Sequence, residues 1–261
     1  MDLSAILKNR RWAAASYPFP HIHAADVYQP SFYQSLEASF QALLSLGLSE
    51  TPAQGKFSRM FRGYDAYGAK LPAASDDPLR IFVSREWHDL LAGLFNVKVT
   101  GDMNAELHHH AVGSSSGRIH SDLNPGWFLG QAEPGSLNLS DNEICSYKFG
   151  DVRAGANNKL PIQRVRAVAM LYYLANPKWR SRHGGETGLY EFEDSPIDAP
   201  AVAIPPLNNH LVAFEVTPHS FHAFLKNKRS PRNAVVLWLH RTYEDAVSQW
   251  GERSIAKWSR K

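Results

Sequence analysis

The stretch Val-Arg-Ala-Val-Ala-Met-Leu-Tyr-Tyr-Leu-Ala, residues 165–175, decides the fold class of this chain. It is rich in apolar, β-branched and aromatic residues, and Asn176-Pro177 closes it with a turn signal. The stretch contains Arg166 and is well short of the roughly 20 apolar residues that a membrane-spanning helix needs. It therefore predicts a strand over Val165–Leu174, and no segment of the sequence predicts a membrane span.

Similar short runs separated by turn clusters continue to Arg241, a pattern typical of a β barrel or sandwich. The other clear strand predictions are Met103–Val112, Thr187–Phe192, His210–Val216 and Arg232–His240. Helices are predicted at Pro30–Leu48, Ser84–Phe95 and Glu244–Lys261, and a loop at Thr51–Asp77. We expect one mostly β domain with helical decoration: a mainly helical support over residues 1–96, a β core over 97–241 interrupted by an insertion at 131–163, and a helix over 242–261.

Composition excludes several classes of protein. Of the 261 residues, 44% are hydrophobic and 20% are charged, as in an ordinary globular domain. The net charge of +3 is too small to indicate a dedicated nucleic-acid binder. The single cysteine, Cys145, excludes an intrachain disulfide and a cysteine-based zinc site. The amino terminus places its basic residues after a very short apolar stretch, unlike a secretory signal, so we expect a cytoplasmic protein.

The first chemical motif is His120-Ser121-Asp122. In extended backbone, residues i and i+2 project to the same face, so an imidazole and a carboxylate can reach one metal ion. The spacing is common in surface loops and does not define a metal site by itself.

A distant histidine followed ten residues later by an arginine is the second motif, and the chain offers two such pairs: His219 with Arg229, and His222 with Arg232. Arg229 lies in a charged turn that ends in proline, which is unsuited to a central strand. Arg232 instead begins the run Arg-Asn-Ala-Val-Val-Leu-Trp-Leu and shares a face with apolar side chains, so its guanidinium is predicted to point inward. A buried guanidinium needs an anionic partner, and this favours the pair His222 and Arg232.

Two histidines and one carboxylate suit a non-haem Fe(II) oxygenase, because they leave coordination positions for a co-substrate and dioxygen. These residues also carry a resemblance. The chain from Met103 to Arg241 resembles the 2-oxoglutarate- and Fe(II)-dependent oxygenase superfamily, in particular its prolyl-hydroxylase-like branch. The likeness is carried by residues 166–179, by Gly184-Gly185-Glu186-Thr187, by the segment 214–222 and by residues 17–28. The resemblance implies a double-stranded β-helix (jelly-roll) core packed by the amino-terminal helices.

The resemblance also implies roles for individual residues. It implies that His120, Asp122 and His222 hold Fe(II), and that Arg232 pairs with the C5 carboxylate of 2-oxoglutarate. Tyr173 resembles a strand tyrosine that hydrogen-bonds the same carboxylate. Its sequence position fits a buried aromatic residue of the core equally well. His110 stands where relatives often place a tyrosine, which leaves its contact with the co-substrate open. The implied cofactors are Fe(II), 2-oxoglutarate and O2, with ascorbate as a candidate stimulant.

The expected activity is hydroxylation of an unactivated C–H bond in a small molecule or a peptidyl, prolyl-like residue, with succinate and CO2 as co-products. Asp122 favours hydroxylation, because related halogenases have a small residue at that position. One hundred residues separate Asp122 from His222, and the insertion at 131–163 accounts for this long interval. The insertion is expected to be either a disordered segment or a substrate lid. A non-catalytic or cupin-like barrel that binds a metal or ligand is the alternative. Nucleic acid and membrane are not expected partners, and the oligomeric state stays open.

Overall fold

Two β-sheets that face each other form the core of the computed structural model, which describes residues 2–61, 64–153 and 159–259. The strands are β1 Ala13–Ala15, β2 His21–Ala24, β3 Leu48–Ser49, β4 Phe57–Phe61, β5 Tyr64–Lys70, β6 Asp102–His110, β7 Pro125–Leu129, β8 Asn138–Leu139, β9 Pro161–Tyr173, β10 Thr187–Tyr190, β11 Val202–Ile204, β12 His210–Glu215, β13 Phe221–Phe224 and β14 Arg232–Thr242. The helices are α1 Leu3–Ile6, α2 Pro30–Ser45, α3 Arg85–Phe95 and α4 Tyr243–Trp250, with short 3-10 turns at Pro78–Val83, Ser181–His183 and Glu252–Ser254. No helix within these ranges is long and apolar enough to cross a membrane.

The larger sheet has the order β1-β2-β12-β9-β14-β6-β5-β4-β3, with β7 paired to β9 and β8 to β6. The smaller sheet has the order β11-β10-β13, and an isolated antiparallel bridge between His120 and His222 extends it. Central strands of the larger sheet pair antiparallel although they lie far apart in sequence, as in a jelly roll. The predicted double-stranded β-helix is confirmed.

Strand β14 shows how the two sides of the larger sheet differ. Its residues Ala234, Val236 and Trp238 belong to the inner core between the sheets, together with Leu189 of β10. The alternate residues of β14 belong to an outer core that contains the buried side chains of α2 and α3. This alternation follows from the two-residue period of a strand, and it confirms that β14 turns one face towards the barrel interior.

The predicted helices begin where expected. Pro30 occupies the first turn of α2, and the hydroxyl of Ser84 accepts the backbone N–H of Trp87 at 3.2 Å to cap α3. Helix α2 ends at Ser45, before the left-handed Gly47 (φ 89°). Both helices cover the outer face of the larger sheet, so they support the barrel without entering its interior.

Three predictions about the chain outside the core are corrected. The predicted loop Thr51–Asp77 contains β4 and β5, because β5 adds to the edge of β6 through a tertiary pairing that local composition does not reveal. Residues 1–96 are therefore a mixture of helices and five strands, and not mainly helical. The tail helix ends at Trp250, because Gly251 has φ 78° and interrupts it.

The described part of the insertion packs on the barrel, so the prediction of a disordered segment is wrong there; residues 154–158 lie outside the described residues. Tyr147 is buried, and its hydroxyl lies 2.7 Å from Nε2 of His240 on β14. The hydroxyl of Ser140 donates to Oδ1 of Asn104 on β6 at 2.5 Å. The insertion therefore contributes fixed side chains beside the barrel interior.

Candidate active site

Three side chains converge at one end of the barrel. His120 and Asp122 follow the bridge to β13, and His222 lies on β13 itself. Nε2 of His120 lies 3.7 Å from Oδ1 of Asp122, and Nε2 of His222 lies 3.5 Å from Oδ2. One ligand atom from each residue falls within 4.8 Å of the others, so the three could hold one metal ion.

Both histidines are held in the ring orientation that a metal requires. Nδ1 of His120 lies 2.8 Å from the carbonyl of Arg118, and Nδ1 of His222 lies 3.1 Å from the carbonyl of Ser220. A carbonyl only accepts hydrogen bonds, so each Nδ1 carries a proton and each Nε2 keeps its lone pair for a metal. Half of the His120 side chain is exposed, but desolvation among its neighbours, followed by the charge of His222, lowers its pKa. Neutral imidazole is the ligand form.

Asp122 is fixed by two donors on the inner face of the larger sheet. Arg166 Nη1 donates to Oδ1 at 2.6 Å, and Trp238 Nε1 donates to Oδ2 at 2.7 Å. Burial by itself would raise the pKa of Asp122, but the charge of Arg166 and the hydrogen bond with His222 outweigh it and hold the pKa well below its usual value. Asp122 is thus an ionised carboxylate of fixed orientation.

A β-bulge explains how Arg166 reaches the interior. The register between β9 and β14 shifts between Leu239 and His240, so that Arg166 lies opposite His240. One extra residue in β9 changes which side chains face inward from there on. The Arg166 guanidinium consequently lies over the Trp238 ring at 3.9 Å and contacts the Tyr147 hydroxyl at 3.1 Å.

Arg232 lies further along the same interior, at the start of β14, and only 3% of it is exposed. Its Nη2 donates to the hydroxyl oxygen of Thr187 at 3.1 Å, and that oxygen also accepts the Tyr173 hydroxyl at 2.7 Å. Its Nε is buried without a hydrogen-bond partner, and no carboxylate of the described ranges lies within 4.0 Å of the guanidinium. A buried cation with an unpaired donor fits an anionic ligand group.

His110 lines the same pocket. It pairs with Arg232 in the register between β6 and β14, so both side chains project to the same side of the sheet. Its ring stacks on Phe224 at 3.9 Å, and the Arg232 guanidinium lies 5.6 Å from that phenylalanine ring. Burial, followed by the nearby charge of Arg232, lowers the pKa of His110 well below its ordinary value, so the ring is neutral.

The residues singled out from the sequence fall into two groups on the inner side of the barrel: His120, Asp122 and His222 in one, and Arg232, Tyr173 and His110 in the other. The rejected residues His219 and Arg229 are exposed. Sequence reasoning gave no role to Arg166, Trp238 and Thr187. Arg166 carried a signal, since a lone arginine within an apolar strand demands a buried partner.

Comparison with known proteins agrees with this geometry. Residues 143–240 match the family model described as the 2OG-Fe(II) oxygenase superfamily. A prolyl-4-hydroxylase from Pseudomonas putida has a similar fold, with a TM-score of 0.52, 13% identity, and coverage of 85% of this chain and 92% of that chain. A prolyl hydroxylase from Trichoplax adhaerens, solved with a peptide fragment of the hypoxia inducible factor oxygen degradation domain, has a TM-score of 0.54, 17% identity, and coverage of 87% and 86%. No curated protein matches the sequence.

The partial family match, the fold and the three convergent side chains agree on one class of enzyme: the chain is similar to the 2OG-Fe(II) oxygenases, a family that implies Fe(II), 2-oxoglutarate and O2. Within that class it is prolyl-hydroxylase-like in its fold. The family match begins after His120 and Asp122, so these two residues are candidate metal ligands on their geometry alone.

Proposed function

We propose that this enzyme hydroxylates an unactivated C–H bond, with His120, Asp122 and His222 holding Fe(II) and Arg232 binding the C5 carboxylate of 2-oxoglutarate. One observation carries the proposal. Three side chains that could hold a metal ion and a buried arginine with an unpaired Nε lie on the inner side of one barrel. A barrel that only binds a ligand without oxidation has no need for this combination.

The residues of the chain divide the work as follows. Trp238 and Arg166 orient the carboxylate of Asp122, and the backbone carbonyls at Arg118 and Ser220 orient the two imidazoles. When bound, the iron and 2-oxoglutarate supply the dioxygen chemistry, in which one oxygen atom enters the substrate C–H bond and the co-substrate leaves as succinate and CO2.

At the other end of the pocket, Thr187 and Tyr173 hold the guanidinium of Arg232. Burial raises the pKa of Tyr173, although the charge of Arg232 partly opposes this, so the phenol stays protonated and donates its hydrogen bond to Thr187. The Thr187 oxygen has two lone pairs, so it accepts hydrogen bonds from both Tyr173 and Arg232. These contacts support a carboxylate-binding role for Arg232, with His110 as the wall of the same pocket.

The substrate we propose is a small molecule or an exposed peptidyl, prolyl-like residue. The fold of this chain is similar to that of a prolyl hydroxylase that was solved with a peptide bound. Asp122 supports hydroxylation, since it supplies the third protein ligand. The insertion, which packs beside the barrel interior, is proposed as the wall that selects the substrate, and ascorbate as a stimulant that keeps the iron reduced.

An anaerobic titration of Fe(II) into the apo-protein with 2-oxoglutarate tests this function. We expect the visible charge-transfer band of the chelate in the wild type and in Arg229→Ala, whose arginine is exposed. We expect its loss in Arg232→Ala, because the co-substrate loses its anionic anchor. Well-folded wild-type protein that gives no band would refute the proposal and favour the non-catalytic or cupin-like barrel.

A further inference from the structure

Glu106 is an ionisable residue of the barrel interior that neither the metal site nor the co-substrate pocket uses. It lies on β6 opposite Val236 of β14, and Val236 belongs to the inner core. Paired residues of antiparallel strands project to the same side, so Glu106 faces inward. Its side chain nevertheless keeps 26% of its surface exposed. Arg166, whose charge acts on Glu106, contacts Asp122, so we take the space that this side chain faces as the cavity beside the candidate metal site.

The inner face of β6 is polar along its whole length. Asn104, Glu106, His108 and His110 alternate with residues of the outer core. Nε2 of His108 faces the Glu106 carboxylate at 3.6 Å. A strand that faces an apolar core normally presents apolar side chains, so four polar ones in succession indicate a wall that contacts a polar ligand.

The Glu106 carboxylate is ionised and held in place. Burial would raise its pKa, but the hydrogen bond and charge of His108 and the charge of Arg166 outweigh burial and lower it. The side chain of Asn104 also contributes to lowering this pKa. The Ser140 hydroxyl donates to the amide oxygen of Asn104, so the amide N–H groups of Asn104 are the ones that can face Glu106. Ser140 belongs to the insertion, so the insertion fixes this part of the cavity.

No lysine or arginine of the described residues forms an ion pair with Glu106 within 4.0 Å. The charges of Arg166 and Lys148 act on it from a greater distance; Arg166 donates to Asp122 at 2.6 Å and to Tyr147, and Lys148 lies over the Trp258 ring at 5.0 Å. An ionised carboxylate that is partly exposed and has no lysine or arginine in direct contact can form a charge-assisted hydrogen bond with a cationic ligand. The ligand group that suits this carboxylate carries a positive charge and hydrogen-bond donors.

We propose that Glu106, with His108 beside it, is the specificity-determining site of the substrate cavity and binds a cationic group, an ammonium or a guanidinium. This inference rests on the proposed function, because it takes the cavity beside the metal site as the substrate cavity. It narrows the substrate class to amine- or guanidine-bearing molecules, which include basic amino acids and basic peptidyl residues. The reacting C–H bond then lies between Glu106 and the metal ligands, so the cation fixes which carbon is presented.

The experiment uses probes of equal length and different charge. Butylammonium and butylguanidinium are the cationic probes, and pentanamide and pentanoate are the neutral and anionic ones. Isothermal titration calorimetry measures the dissociation constant of each probe for the full-length wild type, for Glu106→Gln and for Glu37→Gln. Glu37, on the outer helix α2, is partly buried like Glu106 but lies outside the cavity. Each titration is made on metal-free protein and repeated with Mn(II) and 2-oxoglutarate.

We expect at least one cationic probe to bind the wild type and Glu37→Gln about tenfold more tightly than pentanamide does, the usual size of a charge-assisted contact. In Glu106→Gln that preference is expected to disappear, while thermal unfolding shows that the variant is folded. A wild type that binds cationic and neutral probes equally overturns the proposal without any variant, as does an unchanged preference in Glu106→Gln. Failure of the proposed function is distinguishable, because it abolishes the charge-transfer band and leaves the metal-free binding data intact.

Discussion

The hydrogen bond from Trp238 to Asp122 gives the sharpest quantitative prediction. In Trp238→Phe the donor is lost, while an aromatic ring remains beside Arg166. The contact joins Nε1 and Oδ2 at 2.7 Å, and both side chains are buried. A hydrogen bond to a charged group contributes roughly 1.5–3 kcal/mol. The free energy of unfolding of the apo-protein should therefore fall by about that amount.

The same change should weaken metal binding, because Asp122 is then oriented by Arg166 alone. Outer contacts of metal ligands are typically worth about 10- to 100-fold in affinity. We expect a loss of that size for Mn(II), a redox-stable substitute for Fe(II), measured by isothermal titration calorimetry. Trp179→Phe is the matched control, because Trp179 Nε1 donates to the carbonyl of Gly184 at 3.0 Å, outside the metal site. A Trp238→Phe protein that binds Mn(II) within about threefold of Trp179→Phe would contradict the orienting role.

Two further predictions concern the co-substrate pocket and the core. Thr187→Val removes the oxygen shared by Arg232 and Tyr173, so the affinity for 2-oxoglutarate should fall about tenfold while Mn(II) binding is unchanged. Thr100→Val is the control in the same calorimetric titration. Equal losses of 2-oxoglutarate affinity in both variants would count against a role of Thr187 in holding Arg232. His240 is fully buried, and this burial, followed by the charge of Arg166, lowers its pKa well below the ordinary value. His240 therefore stays neutral in the folded state, while in the unfolded state it takes up a proton below about pH 6.5. Urea unfolding should show that the free energy of unfolding falls as the pH is lowered from 7 to 5.5, by up to about 1.4 kcal/mol per pH unit from this group. His240→Gln should reduce that slope and the exposed His219→Gln should not; identical slopes would refute the assignment.

Much of the site could be predicted because strand periodicity acts locally. The inward direction of Arg232 follows from its alternation with Ala234 and Val236, and the structure shows this alternation. The same reasoning preferred His222 to His219, and His222 lies with His120 and Asp122. A two-residue period needs no knowledge of distant pairing, so it can be read from one stretch of sequence.

The rest depended on tertiary contacts. The inward position of Arg166 results from a bulge, and a one-residue shift of register leaves no mark in composition. Strands β4 and β5 lie in a stretch rich in turn-forming residues, and they exist because β5 pairs with β6. Tyr173 was expected to reach the co-substrate carboxylate, and the structure shows its hydroxyl on Thr187, beside Arg232. Its direct contact with 2-oxoglutarate stays a prediction.

The most direct test of the central claim is a crystal structure of the protein with Mn(II) and 2-oxoglutarate, grown without oxygen. The account predicts an anomalous peak coordinated by Nε2 of His120, a carboxylate oxygen of Asp122 and Nε2 of His222. It also predicts the C5 carboxylate of 2-oxoglutarate on the guanidinium of Arg232. A metal bound elsewhere, or a co-substrate whose carboxylate does not contact Arg232, would contradict it.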